Sequence, residues 1–85
     1  MTVPFTPSAG RTLGVEWELA LVDRSTRDLV NAADEVIAGL RAPGGPAPTA
    51  KVTDELLRNT VEVVSGIHRV AGEAVAEVAD GVDAL

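Results

Sequence analysis

Hydrophobic and polar residues alternate along residues 11–23. The positions of one parity are apolar, and they are Leu13, Val15, Trp17, Leu19 and Leu21. Successive side chains of a strand point to opposite faces, so this pattern predicts a strand with one apolar face. A helix is the competing interpretation, but Gly14 and the β-branched and aromatic residues favour a strand. Glu16 and Glu18 then lie side by side on the opposite face.

A turn and a helix are predicted after this strand. Residues 23–26 have the composition of a turn, and residues 27–30 are expected to return as a short second strand that closes a hairpin. Asn31 is expected to cap a helix that has acidic residues in its first turn and runs to about Leu40. The inward-facing residues of this helix are expected to be Val36, Ile37 and Leu40. Residues 42–48 form a Pro- and Gly-rich loop.

The second half of the chain predicts more strand and a final helix. Residues 49–53 can form a strand, residues 55–58 fit either type of element, and residues 60–64 are β-branched around Glu62. Residues 67–85 have the spacing of an amphipathic helix. Its expected apolar stripe is Ile67, Val70, Ala71, Ala74, Val75, Val78, Val82 and Leu85. Its expected solvent face is Arg69, Glu73, Glu77, Asp80 and Asp83. These elements predict an α+β fold with antiparallel strands and two helices.

Length and charge limit the classes of function. The chain has 85 residues and a net charge of −6, from 7 Lys plus Arg and 13 Asp plus Glu. Nucleic acids and anionic membranes require cationic side chains, so we expect neither as a partner. The sequence contains no cysteine, which excludes disulfides, thiolate zinc sites and cysteine nucleophiles. With no recognisable targeting segment, this composition favours the cytoplasm.

The domain organisation follows from the same features. Residues 1–10 contain two prolines and are expected to form a flexible arm, and residues 11–85 to form the folded part. Large apolar side chains are scarce, and a chain of this size often needs a metal or a partner to be stable. We therefore expect a segment of a larger domain that self-associates as a homo-oligomer when it is isolated.

Four glutamates are the candidate chemical groups. Glu16 and Glu18 leave one strand face together, and two carboxylates on a rigid strand suit Mg²⁺ or Mn²⁺. Glu62 stands alone on an apolar strand, and Glu55 precedes it by seven residues. A solvent-exposed strand face is the alternative for all of them. Arg58 can bind a substrate carboxylate or phosphate, or form a surface ion pair with Asp54 or Glu55.

His68 has no second histidine to join it in a metal site, so we interpret it as a surface residue. No arrangement of serine, histidine and aspartate is credible as a nucleophilic triad.

Two motifs in order resemble a known family. Gly14-Val15-Glu16-Trp17-Glu18 is followed by Glu55-Leu56 and then by Val61-Glu62-Val63. Together they resemble the opening of the bacterial carboxylate–amine ligases of the second glutamate–cysteine ligase family. The resemblance covers nearly all of the chain after about residue 10. Trp17 stands where many relatives carry another glutamate, and family members are several times longer.

The resemblance implies a chemistry that the residues alone do not. It implies an ATP-dependent ligase that joins an amine to the γ-carboxylate of glutamate through a γ-glutamyl phosphate. It also implies an antiparallel sheet like that of glutamine synthetase, with magnesium or manganese held by Glu16, Glu18, Glu55 and Glu62. Arg58 is the candidate for nucleotide binding. Small molecules, namely glutamate and an amine or amino acid, would be the substrates, and the short chain alone would be inactive.

A second function remains open at this point. The chain could be a small non-catalytic α+β association module that uses the helix at 67–85 as its interface. The ligase interpretation requires Glu16, Glu18 and Glu62 to converge, and the module interpretation does not.

Overall fold

The computed structural model describes residues 10–85, so the predicted arm at residues 1–10 lies outside the described residues except for Gly10. The elements in chain order are β1 (Glu16–Ala20), α1 (Ala33–Arg41), β2 (Lys51–Asp54), β3 (Thr60–Val64) and α2 (Ala71–Asp83). The predicted α+β fold with antiparallel strands and two helices is confirmed. No helix in the described range is long and apolar enough to cross a membrane.

The strands form one sheet in the order β1-β3-β2, and both pairs are antiparallel. The central strand β3 is the β-branched segment around Glu62, and the prediction of a strand there is confirmed. Its Val61 and Val63 are fully buried. Helix α1 packs mainly against β2 and α2 against β3, so both helices cover the face that carries these valines. The opposite face of the sheet, within the described residues, is left open to solvent.

The predicted first strand is shorter than its alternating pattern. Residues Leu13 and Val22 form only isolated bridges, to His68 and Leu29 respectively, and the regular strand is β1. The expected second strand at 27–30 is therefore wrong as a strand, and a single bridge closes the hairpin. The turn before it is confirmed, because the Asp23 carboxylate accepts hydrogen bonds from the backbone of Ser25 and Thr26. These bonds lower the pKa of Asp23.

Helix α1 begins later than predicted. Asn31 is not its cap, because the cap position is Ala32, which makes no side-chain bond. Instead the backbone N–H of Ala33 donates to the carbonyl of Arg58 at 3.0 Å. A residue distant in sequence thus satisfies one of the free donors of the first turn. The expected acidic first turn is confirmed by Asp34 and Glu35.

Helix α2 also begins later, at Ala71 rather than residue 67. The backbone N–H of His68 donates to the carbonyl of Leu13 at 2.9 Å, and the N–H of Leu13 donates to the carbonyl of His68 at 2.8 Å. This pairing holds His68 outside the helix. The sequence pattern did not reveal the pairing because the two residues are far apart along the chain.

The buried face of α2 differs from the predicted stripe. Its buried residues are Ala74, Val78 and Gly81, whereas the side chains of Ile67, Val70 and Val75 are mostly exposed. Gly81 faces the sheet closely, and a β-carbon there would lie 2.6 Å from Cγ1 of Val63. The absence of a side chain therefore sets how near α2 approaches the sheet.

Candidate metal centre

The open face of the sheet carries the predicted glutamates in rows. Glu18 is opposite Glu62, and Glu62 is opposite Thr53, so these three residues form one row across all the strands. Residues that are directly opposite in an antiparallel pair share a face. Glu16 belongs to the adjacent row, where it is opposite Val64. The alternating pattern of the sequence thus predicts correctly that Glu16 and Glu18 share a face, and the register of the sheet adds Glu62 to it.

Glu55 joins this row from the connection after β2. It has the same parity as Thr53, so it continues the open face beyond the end of the strand. One carboxylate oxygen from each of Glu18, Glu55 and Glu62 lies within 4.8 Å of the others. Three of the four glutamates singled out in the sequence therefore converge, although they come from β1, β3 and a loop.

Glu16, which the ligase interpretation also requires to converge, is not one of these three and contacts the cluster through a hydrogen bond with Glu62. Partial burial, together with hydrogen bonds and charge repulsion from Glu55 and Glu16, raises the pKa of Glu62 from 4.5 to about 7. At neutral pH the Glu62 carboxyl therefore holds a proton for much of the time. The raised pKa shows that the negative charges of Glu16, Glu55 and Glu62 repel one another.

The chemistry of these donors fits a hard divalent cation. Mg²⁺ and Mn²⁺ prefer oxygen ligands, and Mg²⁺ usually keeps several waters beside one or two carboxylates. Glu18 is exposed and the other two members are half-buried, so the cluster is accessible from solvent. A cation would neutralise the repulsion that otherwise holds the proton on Glu62.

A small cleft of about 210 Å³ adjoins the cluster. Its lining residues are Glu18, Glu55, Leu56, Leu57 and Thr60. Leu56 is 95% exposed and Leu57 is 62% exposed, so the loop before β3 presents apolar side chains beside the carboxylates. Polar and apolar groups thus meet at one open site.

Arg58 does not point into this cluster. Its guanidinium donates to the Asp34 carboxylate at 2.9 Å, and both side chains are mostly exposed. The expected ion pair with Asp54 or Glu55 is therefore wrong, because Arg58 pairs with Asp34 of α1 instead. The carbonyl of Arg58 also accepts the first N–H of α1. Arg58 thus fastens the end of the loop that carries Glu55.

A second polar cluster was missed in the sequence. The Glu77 carboxylate accepts hydrogen bonds from the N–H of Gly66 at 2.6 Å and from Nε2 of His68 at 3.0 Å. The hydrogen bond from His68 and those from the Gly66 backbone and the Thr49 side chain lower the pKa of Glu77 to about 2. The interpretation of His68 as a surface residue is wrong, because only 22% of its side chain is exposed. Helical spacing placed Glu77 on the solvent face, and nothing local indicates its distant partners.

The comparisons with known proteins agree with the two motifs. The family described as glutamate-cysteine ligase family 2 (GCS2) matches residues 12–85. The chain therefore belongs to that family.

Individual relatives have names that assign them to the same family. Glutamate–cysteine ligase 2-2 of Rhodococcus jostii is 53% identical over 88 residues, which cover 100% of this chain and 22% of the relative. Glutamate–cysteine ligase 2-2 of Nocardia farcinica is 49% identical and covers 96% of this chain and 22% of the relative. Glutamate–cysteine ligase 2-3 of a Nocardioides species is 54% identical, with 91% and 20% covered.

This chain thus spans about a fifth of the length of the curated relatives that it matches. No solved structure matches the chain significantly.

Proposed function

We propose that this chain forms the metal-binding strands of an ATP-dependent carboxylate–amine ligase. The reaction would join glutamate, through its γ-carboxylate, to the amine of a second small molecule such as cysteine. ATP would activate the carboxylate as a γ-glutamyl phosphate in the cytoplasm, where ATP is available. Because the chain spans 22% of a full-length relative, we expect it to be inactive without the remaining residues.

The convergence of Glu18, Glu55 and Glu62 is the observation that supports this proposal most strongly. Family membership alone would be compatible with glutamates that merely face solvent. An association module gives no reason for three separated carboxylates to share one point on the sheet. The open face also fits a larger protein, whose further elements would cover the site.

Each glutamate has a distinct part in the proposal. Glu18 and Glu62 are opposite on paired strands, so the sheet fixes their separation. Glu55 lies on a loop and adds the third oxygen donor. Glu16 lies in the row next to that of Glu62 and increases the negative charge of the site. A bound Mg²⁺ or Mn²⁺ would neutralise phosphate charge during phosphoryl transfer.

Calorimetric titration with manganese tests the metal site directly. We expect the 85-residue chain to bind Mn²⁺, and Glu62→Gln to weaken the affinity by about tenfold or more, because the charge of the ligand set determines affinity. The matched control is Glu35→Gln, the same substitution at an exposed residue in the first turn of α1. Equal affinities for wild type and Glu62→Gln would contradict the proposal, as would an equal loss in the control.

A further inference from the structure

Lys51 is a cation on the glutamate face. Lys51 is opposite Val64 in the β2–β3 pair, and Val64 is opposite Glu16 in the β1–β3 pair. Lys51 therefore shares both the face and the row of Glu16, and it is adjacent to the row of Glu18 and Glu62. Its parity is also that of Glu55, four residues later.

Lys51 is not used as a structural ion-pair partner. It is exposed, and among residues 10–85 it takes part in neither the ion pair of Arg58 nor those of His68. Lys51 is on the edge strand and also lines a cleft beside α1. An ammonium group on a flexible four-carbon stem can move between that cleft and the open face.

We propose that Lys51 is a substrate-binding residue, which contacts the polyphosphate of the metal-bound nucleotide on the open face. This inference rests on the proposed metal site. A cation beside a carboxylate cluster opposes the binding of a bare metal ion. It favours the binding of a metal that arrives with an anion, because the ammonium can then pair with a phosphate oxygen. Lys51 thus selects a metal–polyphosphate complex over the free metal.

The two ligands make opposite demands on Lys51, and this gives the test. Calorimetry is carried out on the 85-residue chain with Mn²⁺ alone and with the preformed manganese complex of inorganic pyrophosphate. For Lys51→Met we expect the affinity for Mn²⁺ to rise about threefold, because one repulsive charge is removed. We expect the affinity for manganese pyrophosphate to fall about tenfold, because a charge-assisted contact is lost.

Two variants serve as controls. Lys51→Arg retains the charge and is expected to bind both ligands within about twofold of wild type. Arg24→Met removes one exposed positive charge from the turn after β1, which contributes to none of the rows on the open face. We expect it to change neither affinity.

The outcomes separate the two proposals. If wild type fails to bind Mn²⁺, the proposed metal site is wrong for this chain and the inference falls with it. If wild type binds Mn²⁺ but not manganese pyrophosphate, the inference alone is wrong. The inference is also wrong if Lys51→Met raises both affinities or lowers both. It is wrong as well if Arg24→Met changes the two affinities as Lys51→Met does. A general loss of structure would not raise the affinity for Mn²⁺ while it lowers the affinity for manganese pyrophosphate.

Discussion

Glu62 is the residue whose negative charge is opposed most strongly by its surroundings. It lies on the central strand, beside Glu55 and opposite Glu18. In the metal-free protein its partial burial and its acidic neighbours raise its pKa from 4.5 to about 7. A carboxylate at this position lowers the stability of the metal-free fold at neutral pH. The proposed cation would offset this cost by binding to the carboxylate.

This pKa predicts a pH dependence of stability in the absence of metal. Between pH 4.5 and about 7 the folded state binds the Glu62 proton more tightly than the unfolded state does, so this residue lowers the free energy of unfolding as the pH rises. We therefore expect Glu62→Gln to be more stable relative to wild type at pH 8 than at pH 5. Urea unfolding of both proteins with a chelator at each pH measures this. An unchanged difference would contradict the raised pKa.

Glu77 has the opposite effect at the same scale. Its pKa is lowered to about 2, so its contribution to stability is complete above pH 4.5 and is lost as the pH falls through that range towards 2. The two glutamates thus act against each other on either side of the sheet. At pH 5 and at pH 8 the contribution of Glu77 is constant, so it does not affect the comparison of wild type with Glu62→Gln.

At the scale of the element, α2 has two glycines in contrasting surroundings. A β-carbon at Gly72 would have no atom within 4 Å, whereas one at Gly81 would lie 2.6 Å from Val63 and 3.0 Å from the β-carbon of Ala50. Glycine lowers helix stability by about 1 kcal/mol relative to alanine at either position. Only Gly81 has a compensating role, because it allows the helix to approach the sheet.

The two alanine substitutions should therefore differ in sign. We expect Gly72→Ala to stabilise the protein by about 0.5–1 kcal/mol. We expect Gly81→Ala to destabilise it by about 1–2 kcal/mol, because overpacking exceeds the gain in helix propensity. The two variants are matched in residue type and helix, so each controls for the other in urea unfolding. Equal stabilisation by both would show that α2 does not approach the sheet as closely as described.

At the scale of the whole molecule, one sheet face is covered by helices and the other carries the acidic site. The strands β1 and β2 are both at edges of the sheet. Trp17 is on the helix-covered side, opposite Val63, but it remains 50% exposed because β1 lies beyond the strands that α1 and α2 mainly cover. Val75 on α2 is 55% exposed. Exposed apolar groups beside unpaired edges are surfaces that commonly associate.

Self-association of the isolated chain stays a prediction. We expect sedimentation equilibrium at high concentration to give a mass above the 8.8 kDa of one chain. Val75→Lys should lower the association if the helix is the interface, and Trp17→Lys should lower it if the β1 edge is. A mass of one chain together with cooperative unfolding would contradict the prediction.

The alternating pattern of the sequence determined that Glu16 and Glu18 share a face, because a strand turns successive side chains to opposite sides whatever lies around it. The sequence also determined the α+β class and, through its β-branched residues, the strand at 60–64. The two motifs indicated the family, because they preserve residue types and spacing. These features are local, so they can be read without knowing what contacts what.

The tertiary structure alone decided the features that join distant residues. At the start of α1 the backbone N–H of Ala33 donates to the Arg58 carbonyl, and Asn31 does not cap the helix. The pairing of Leu13 with His68 keeps His68 out of α2, which begins at Ala71. The tertiary structure also turned Glu77 from the expected solvent face towards Gly66. A buried backbone N–H or a half-buried carboxylate takes whichever partner the packed chain supplies, and that partner has no fixed distance along the sequence.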